Sequence, residues 1–234
     1  MKKIIRIKYM QTENIGRMKY ISLFLMGILI SFNTLAQNSS NEAKELLDEV
    51  SSKMGAYKNM VIGFNSTLVN REAGITNDPP IRGNIVISAD KYSLEYLGNS
   101  FLFDGKELAV INHEDKEISI SRGDLEEEDG FIYPSKLLTF YKDGYNYTIG
   151  KLENNKGRKI QYVDLTPIDS NSDIVKVKLG VDAKTKHIYE LIQIGSNGAE
   201  TTFTITKFKK DQPISEKSFS LNRDKYSNLG YLID

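Results

Sequence analysis

From residue 62 onward the chain alternates apolar and polar positions with a period of two, and this pattern narrows the choice of fold more than any other feature. Ile62, Phe64, Ser66 and Leu68 alternate with Gly63, Asn65, Thr67 and Val69. Ile81, Gly83, Ile85 and Ile87 repeat the rhythm, and so do Tyr92, Leu94 and Tyr96. Further stretches of this kind are Phe101–Phe103, Leu108–Asn112, Glu117–Ser121, Tyr145–Ile149, Arg158–Thr166, Val175–Val181, His187–Ile194, Thr202–Thr206 and Ser218–Leu221. Turn residues such as Asp104-Gly105-Lys106, Asn154-Asn155-Lys156-Gly157 and Asn197-Gly198 separate them. Short strands punctuated about every 8–12 positions predict an antiparallel sandwich or barrel and argue against βαβ units. About 11 strands are expected on this pattern.

Ahead of the strands the period is helical. Ala43, Leu46, Leu47, Val50, Met54 and Tyr57 fall on one face, with Asp48, Glu49, Lys53 and Lys58 elsewhere on the wheel. Ser39 and Glu42 have the spacing of a capping box. One amphipathic helix ending around Met60 is expected. In the middle of the chain an acidic loop, Arg122 to Gly130, contains Glu126-Glu127-Glu128-Asp129. Pro134 then suits the first turn of a short helix whose apolar side is Leu137, Leu138, Phe140 and Tyr141.

The first 36 residues follow a different pattern. Tyr20 to Phe32 is an apolar run behind Arg17 and Lys19, and Thr34 and Ala36 precede a cleavage point at Gln37. That is the layout of a secretory signal peptide. The run is too short for a membrane span, which needs about 20 residues. Residues 1–36 are therefore expected to be removed, with Met1 or Met18 as the start, leaving 37–234 as a single domain. They hold six of the 31 basic and one of the 31 acidic residues, so the remainder carries 25 and 30, a net charge of about −5. A mildly acidic chain has no broad attraction for nucleic acid. The sequence contains no cysteine. It thus lacks the residue that lipid modification of a mature N-terminus requires, and an exported, soluble protein is expected.

Catalytic chemistry has no candidate. The two histidines, His113 and His187, stand beside separate turns. There is no G-x-S-x-G elbow, cysteine nucleophile, Walker loop or G-x-G-x-x-G. The consecutive carboxylates of the acidic loop lack the alternating ligands and turn glycine of a calcium loop. Neither an enzymatic activity nor a cofactor or metal is expected.

The order of parts resembles a known family. The helix leads into a strand, then Arg82-Gly83-Asn84-Ile85, Lys91-Tyr92-Ser93-Leu94-Glu95-Tyr96 and Phe103-Asp104-Gly105-Lys106-Glu107-Leu108. Pro134-Ser135-Lys136-Leu137-Leu138 follows, and Arg158-Lys159-Ile160 leads on to Val163, Leu165, Thr166 and Pro167. Over roughly residues 40 to 222 this is similar to the LolA family of periplasmic lipoprotein carriers, in its Bacteroidetes-type form. The resemblance implies an incomplete antiparallel β-barrel, with the N-terminal helix and the short central helix as a lid over an apolar cavity. It implies acylated lipoproteins as cargo, an inner-membrane ABC-type releasing complex and an outer-membrane acceptor as partners. Residues expected to meet lipid are Phe64, Leu68, Ile85, Ile87, Tyr92, Leu94, Tyr96, Leu137, Leu138 and Phe140. The family's lid-holding arginine and its following proline have no counterpart, since Ser88-Ala89-Asp90-Lys91 stands there and Lys91 is not assigned that role. The alternative is a half-barrel sensor of lipids or lipoproteins without a transport role.

Overall fold

The computed structural model describes residues 39–76, 78–124 and 134–234. The stretch expected to be a signal peptide and the run Glu126–Asp129 lie outside these residues. The first described element is helix α1, residues 39–55. Its apolar stripe is buried as the spacing predicts, with Ala43, Leu46, Leu47, Val50 and Met54 in the main core. Burial of each large side chain contributes about 1.5–3 kcal/mol. Two details differ from expectation. Ser39 lies inside the helix, and its hydroxyl accepts the backbone N–H of Ile149 at 3.2 Å instead of capping α1. The helix also stops at residue 55, not near Met60, because Met60 already begins a strand. Residues 56–59 form the connection, and the Asn59 amide anchors it by bonding both the N–H and the carbonyl of Gln212.

The strands are β1 Met60–Val69, β2 Ile81–Ser88, β3 Lys91–Tyr96, β4 Asn99–Phe103, β5 Glu107–Asn112, β6 Glu117–Arg122, β7 Tyr145–Asn155, β8 Arg158–Pro167, β9 Ile174–Asp182, β10 Ile188–Gly195, β11 Glu200–Lys210 and β12 Leu232–Ile233. They form one sheet in the order β12-β6-β5-β4-β3-β2-β1-β11-β10-β9-β8-β7. The pairing of β1 with β11 joins two meanders, β1 to β6 and β7 to β11, into a single curved surface. β12 runs parallel to β6, whereas the other pairings are antiparallel. The sheet stays open, with β12 and β7 as its outer strands, and the expected incomplete barrel is present. β12 has only two residues, too few to show an alternating pattern.

Both faces of one half are covered. The inner face packs on α1 and carries the main core. On the outer face, Ala109, Ile111 and Ile118 form a second cluster under Leu221, Tyr226, Tyr231 and Ile233 of the C-terminal segment. That segment includes a short helix, α2 Arg223–Asn228, capped by the Asn222 side chain. Ser218–Leu221, expected as a strand, is not one: Ser218 and Phe219 belong to a 3-10 turn, Glu216–Phe219. The Ser215 hydroxyl caps this turn, and Phe219 is buried. The central segment is likewise not one helix but two 3-10 turns, Pro134–Lys136 and Phe140–Lys142. Thr139, at φ −134°, breaks the helical path between them, and Tyr141 reaches over to donate to Asp48 of α1 at 3.0 Å.

A candidate ligand cavity on the inner face

The inner face of the joined meanders carries a half-open cavity of about 100 Å³. Its wall comes from five strands and the central segment: Ile62 and Phe64 of β1, Ile85 of β2, Leu94 and Tyr96 of β3, Ile188, Leu191 and Gln193 of β10, Phe203 and Ile205 of β11, and Pro134 and Leu137. Gln193 is the only polar amide in this wall and no charged side chain takes part, so the described lining favours apolar atoms.

Phe64, Tyr96 and Phe203 form an aromatic trio, with ring centroids 5.5 Å, 5.8 Å and 6.2 Å apart. Offset and edge-on contacts at such distances add to the area they bury. Phe64 can take its place because its cross-strand partner is Gly83, on which a β-carbon would lie 2.2 Å from the ring tip. Tyr96 is oriented from outside the trio, its hydroxyl 2.7 Å from that of buried Ser66.

Of the ten residues expected to meet lipid, Phe64, Ile85, Leu94, Tyr96 and Leu137 line this cavity. Ile87 and Leu138 line a second cavity of about 210 Å³ under α1, together with Ser51, Met54, Gly55, Tyr57, Asn59, Met60, Ala89, Pro134, Ser135 and Thr139. Tyr92 is fully buried against Phe103, and its hydroxyl donates to Asp124 at 2.7 Å. Phe140 packs edge-on against Tyr141 and Tyr145. Leu68 is 42% exposed and lies beyond the cavity. The residues of β10 and β11 were not singled out in the sequence. Their alternation marks an inward face, but only the β1–β11 pairing places that face opposite Phe64.

The inward rows continue past the cavity to one end of the sheet. There β1 carries Leu68 next to its last residue, β2 starts at Ile81 and β9 carries Val175, each on the same strand face as its buried neighbours Ile62, Ile85 and Val177. Among the described residues, seven of the eight exposed large apolar side chains lie at this end: Leu68, Ile81, Leu97, Ile168, Val175, Leu229 and Leu232. Leu97 stands out, since it occupies the β3–β4 turn at φ 53° and is 58% exposed. A bulky side chain is disfavoured in this left-handed region.

Hydrogen bonds to described residues hold the central segment on both sides. Asp124 accepts hydrogen bonds from Ser135 and Tyr92, fixing the start of the segment to β3. Lys91 takes no part, because its ammonium pairs with Glu216 of the C-terminal segment at 2.7 Å. The second hold is the bond from Tyr141 to Asp48. Burial, together with that carboxylate, pushes the Tyr141 phenol up to about 12. At the opposite end from the exposed rim, Tyr57 and His187 are 2.8 Å apart, and burial and nearby Lys53 pull the His187 imidazole down. His113 lies at the rim end, bonded to Ser100 and Tyr231, so the two histidines sit at opposite ends of the sheet.

Fold and cavity together define an open antiparallel half-barrel with a helix across its inner face and a small apolar cavity between its strands and the central segment. Solved structures similar to the chain include an uncharacterized conserved protein from Thermus thermophilus, 10% identical with a TM-score of 0.55, covering 82% of this chain and 98% of that one. They also include a putative outer membrane lipoprotein-sorting protein domain from Vibrio parahaemolyticus, 13% identical with a TM-score of 0.45, covering 80% and 99%. A LolA superfamily protein from Nitrosomonas europaea is 11% identical with a TM-score of 0.42, covering 77% and 98%. At these identities the likeness is one of fold. No family model and no curated protein matches the sequence.

Proposed function

We propose that the chain is a non-catalytic periplasmic carrier that shields the acyl chains of lipoproteins between the inner and the outer membrane. The observation that carries this reading is the uncharged cavity whose inward rows run out to an exposed apolar rim. An acyl chain of roughly 15 carbons exposes about 12 kcal/mol of apolar surface to water. Such chains need a cover to cross an aqueous compartment, and a half-barrel with a helix across it supplies one. The apolar run and small-residue cleavage point of residues 20–36 support export. An inner-membrane ABC-type complex would load the carrier, and an outer-membrane acceptor would unload it. Among the described residues no helix is long and apolar enough to cross a membrane.

A direct test uses a hydrophobic dye bound to the purified chain in its native state. Acylated peptide displaces the dye on this reading, whereas the same peptide without its acyl chain leaves it in place. Equal displacement by both peptides, or by neither, contradicts acyl-chain binding.

A further inference from the structure

The end of the sheet opposite the apolar rim gathers positive charge, although residues 37–234 are net negative. Strand register defines this end. Met60 of β1 pairs with Lys210 of β11, Ile188 of β10 with Val181 of β9, Asp182 of β9 with Ile160 of β8, and Arg158 of β8 with Asn155 of β7. The last turn of α1 lies against it, since the Ile188 N–H donates to the Met54 sulfur.

Lys53 belongs to that last turn, Lys58 precedes β1, and Lys209 and Lys210 close β11. Lys156, Arg158 and Lys159 span the β7–β8 turn and the start of β8, while Lys184 and Lys186 stand in the β9–β10 turn. The Ala183 N–H bonds the Lys159 carbonyl at 2.8 Å and brings these two groups together. The carboxylates of the same stretches are Asp182 and Asp211, and both accept backbone N–H groups, Asp182 from Lys184 and Thr185 and Asp211 from Lys58. Nine cations thus stand against two carboxylates. Lys186 also pairs with Glu49, but Lys53, Lys58, Lys156, Lys159, Lys184 and Lys209 are exposed. Burial and Lys53, with Lys210 behind them, hold the His187 imidazole below its ordinary range against the pull of Asp182. The β2–β3 and β4–β5 turns carry no such excess, because Asp90 and Asp104 balance Lys91 and Lys106.

We propose that this basic end docks the protein onto the surface of an anionic phospholipid bilayer. Neither the cavity nor the rim takes part, so the docking is independent of the carrier reading. Composition favours lipid over an acidic protein. Eight of the nine cations are lysines, whose compact, strongly hydrated ammonium acts as a point charge on any array of phosphates. The carboxylates of a protein partner are matched better by the arginine fork, and protein interfaces are depleted in lysine. The contact is electrostatic and shallow, since the exposed large apolar side chains of the described residues lie at the other end, Leu152 excepted. Docked in this way, the molecule turns its rim away from the bilayer.

The experiment is co-sedimentation of the purified chain with vesicles. Phosphatidylcholine vesicles with about 30% phosphatidylglycerol bind it at about 0.1 M salt, and pure phosphatidylcholine vesicles do not. Binding is lost by about 0.5 M salt, where charges are screened within about 4 Å. Each lysine near such a surface contributes about fivefold, so K159E/K184E/K209E lowers partitioning at least about fiftyfold. R71E/R82E/R223E makes the same change in net charge at exposed positions away from this end, and it binds within about threefold of the parent. Equal losses in the two variants overturn the proposal. So does equal binding to both kinds of vesicle, or protein that stays in solution with both. A chain that binds polyglutamate and ignores the vesicles assigns the surface to an acidic protein and overturns it as well. The vesicle and salt comparisons use the unmodified protein, so they decide the matter even if a variant fails to fold.

Discussion

Phe64 lies over Gly83 so closely that a β-carbon on Gly83 would stand 2.2 Å from the tip of the ring and 2.6 Å and 2.7 Å from its flanks. The cross-strand glycine is the space into which one wall of the cavity fits. Any side chain there must drive the ring towards Tyr96 and Phe203, and so into the chamber.

G83A is therefore expected to cost about 1 kcal/mol, at the low end of overpacking, because the ring can yield into open space. Its effect on binding is larger. The ring occupies volume that a ligand needs, and affinity for a short-chain probe falls at least tenfold. Urea denaturation and dye titration of the same variant separate the two effects.

Leu137 faces the apolar cavity, and L137E buries a carboxylate with no partner in the described wall. Probe binding should fall by tenfold or more through the cost of desolvating the charge. Leu138 faces the cavity under α1 instead, so L138E should weaken binding at the apolar cavity less than L137E does. A chain-length series on both variants checks this order.

Leu97 holds a left-handed backbone while exposing most of its side chain. Asparagine tolerates that conformation, so L97N should stabilise the protein by about 1 kcal/mol. If the rim guides acyl chains, the same variant transfers lipoprotein more slowly, with cavity binding unchanged. Faster or equal transfer would remove Leu97 from the rim's function.

His187 gives a pH dependence with a defined sign. Burial lowers its folded pKa below the ordinary 6.5, so the unfolded chain binds the proton more readily. Its stabilising contribution is complete above 6.5 and is lost as the pH falls from there through the folded value. The urea midpoint should drop between pH 7.5 and 5.5, and H187F should show a smaller drop. Asp48, lowered by its bond to Lys44, acts only below the ordinary 3.8 and does not contribute in this window.

Much of the fold was legible because local pattern and tertiary burial agree. The stripe from Ala43 to Met54 and the alternating positions Ile62, Ile85, Ile87, Tyr92 and Leu94 of β1, β2 and β3 are buried as the period requires. Five of the twelve residues lining the cavity were legible in the sequence: Phe64, Ile85, Leu94, Tyr96 and Leu137. The wall from β10 and β11 depends on β1 pairing with β11, more than 130 positions away, and the alternation of those strands carries no sign of that partner. Gln193 was hidden because an amide in an apolar row reads as an outward residue. Ser39 was misassigned because its hydroxyl serves the N–H of an outer strand and not its own helix. The hold on the central segment was also not legible. It is a carboxylate, Asp124, receiving two hydroxyls that lie 32 and 11 positions away in sequence.

Lipoprotein release tests the carrier reading most directly. Membranes holding radiolabelled, acylated lipoprotein are incubated with the purified chain, and the soluble fraction is analysed. A carrier brings the label into solution as a one-to-one complex with the chain, and G83A and L137E release less of it. Label that stays with the membranes at every protein concentration would contradict the carrier reading.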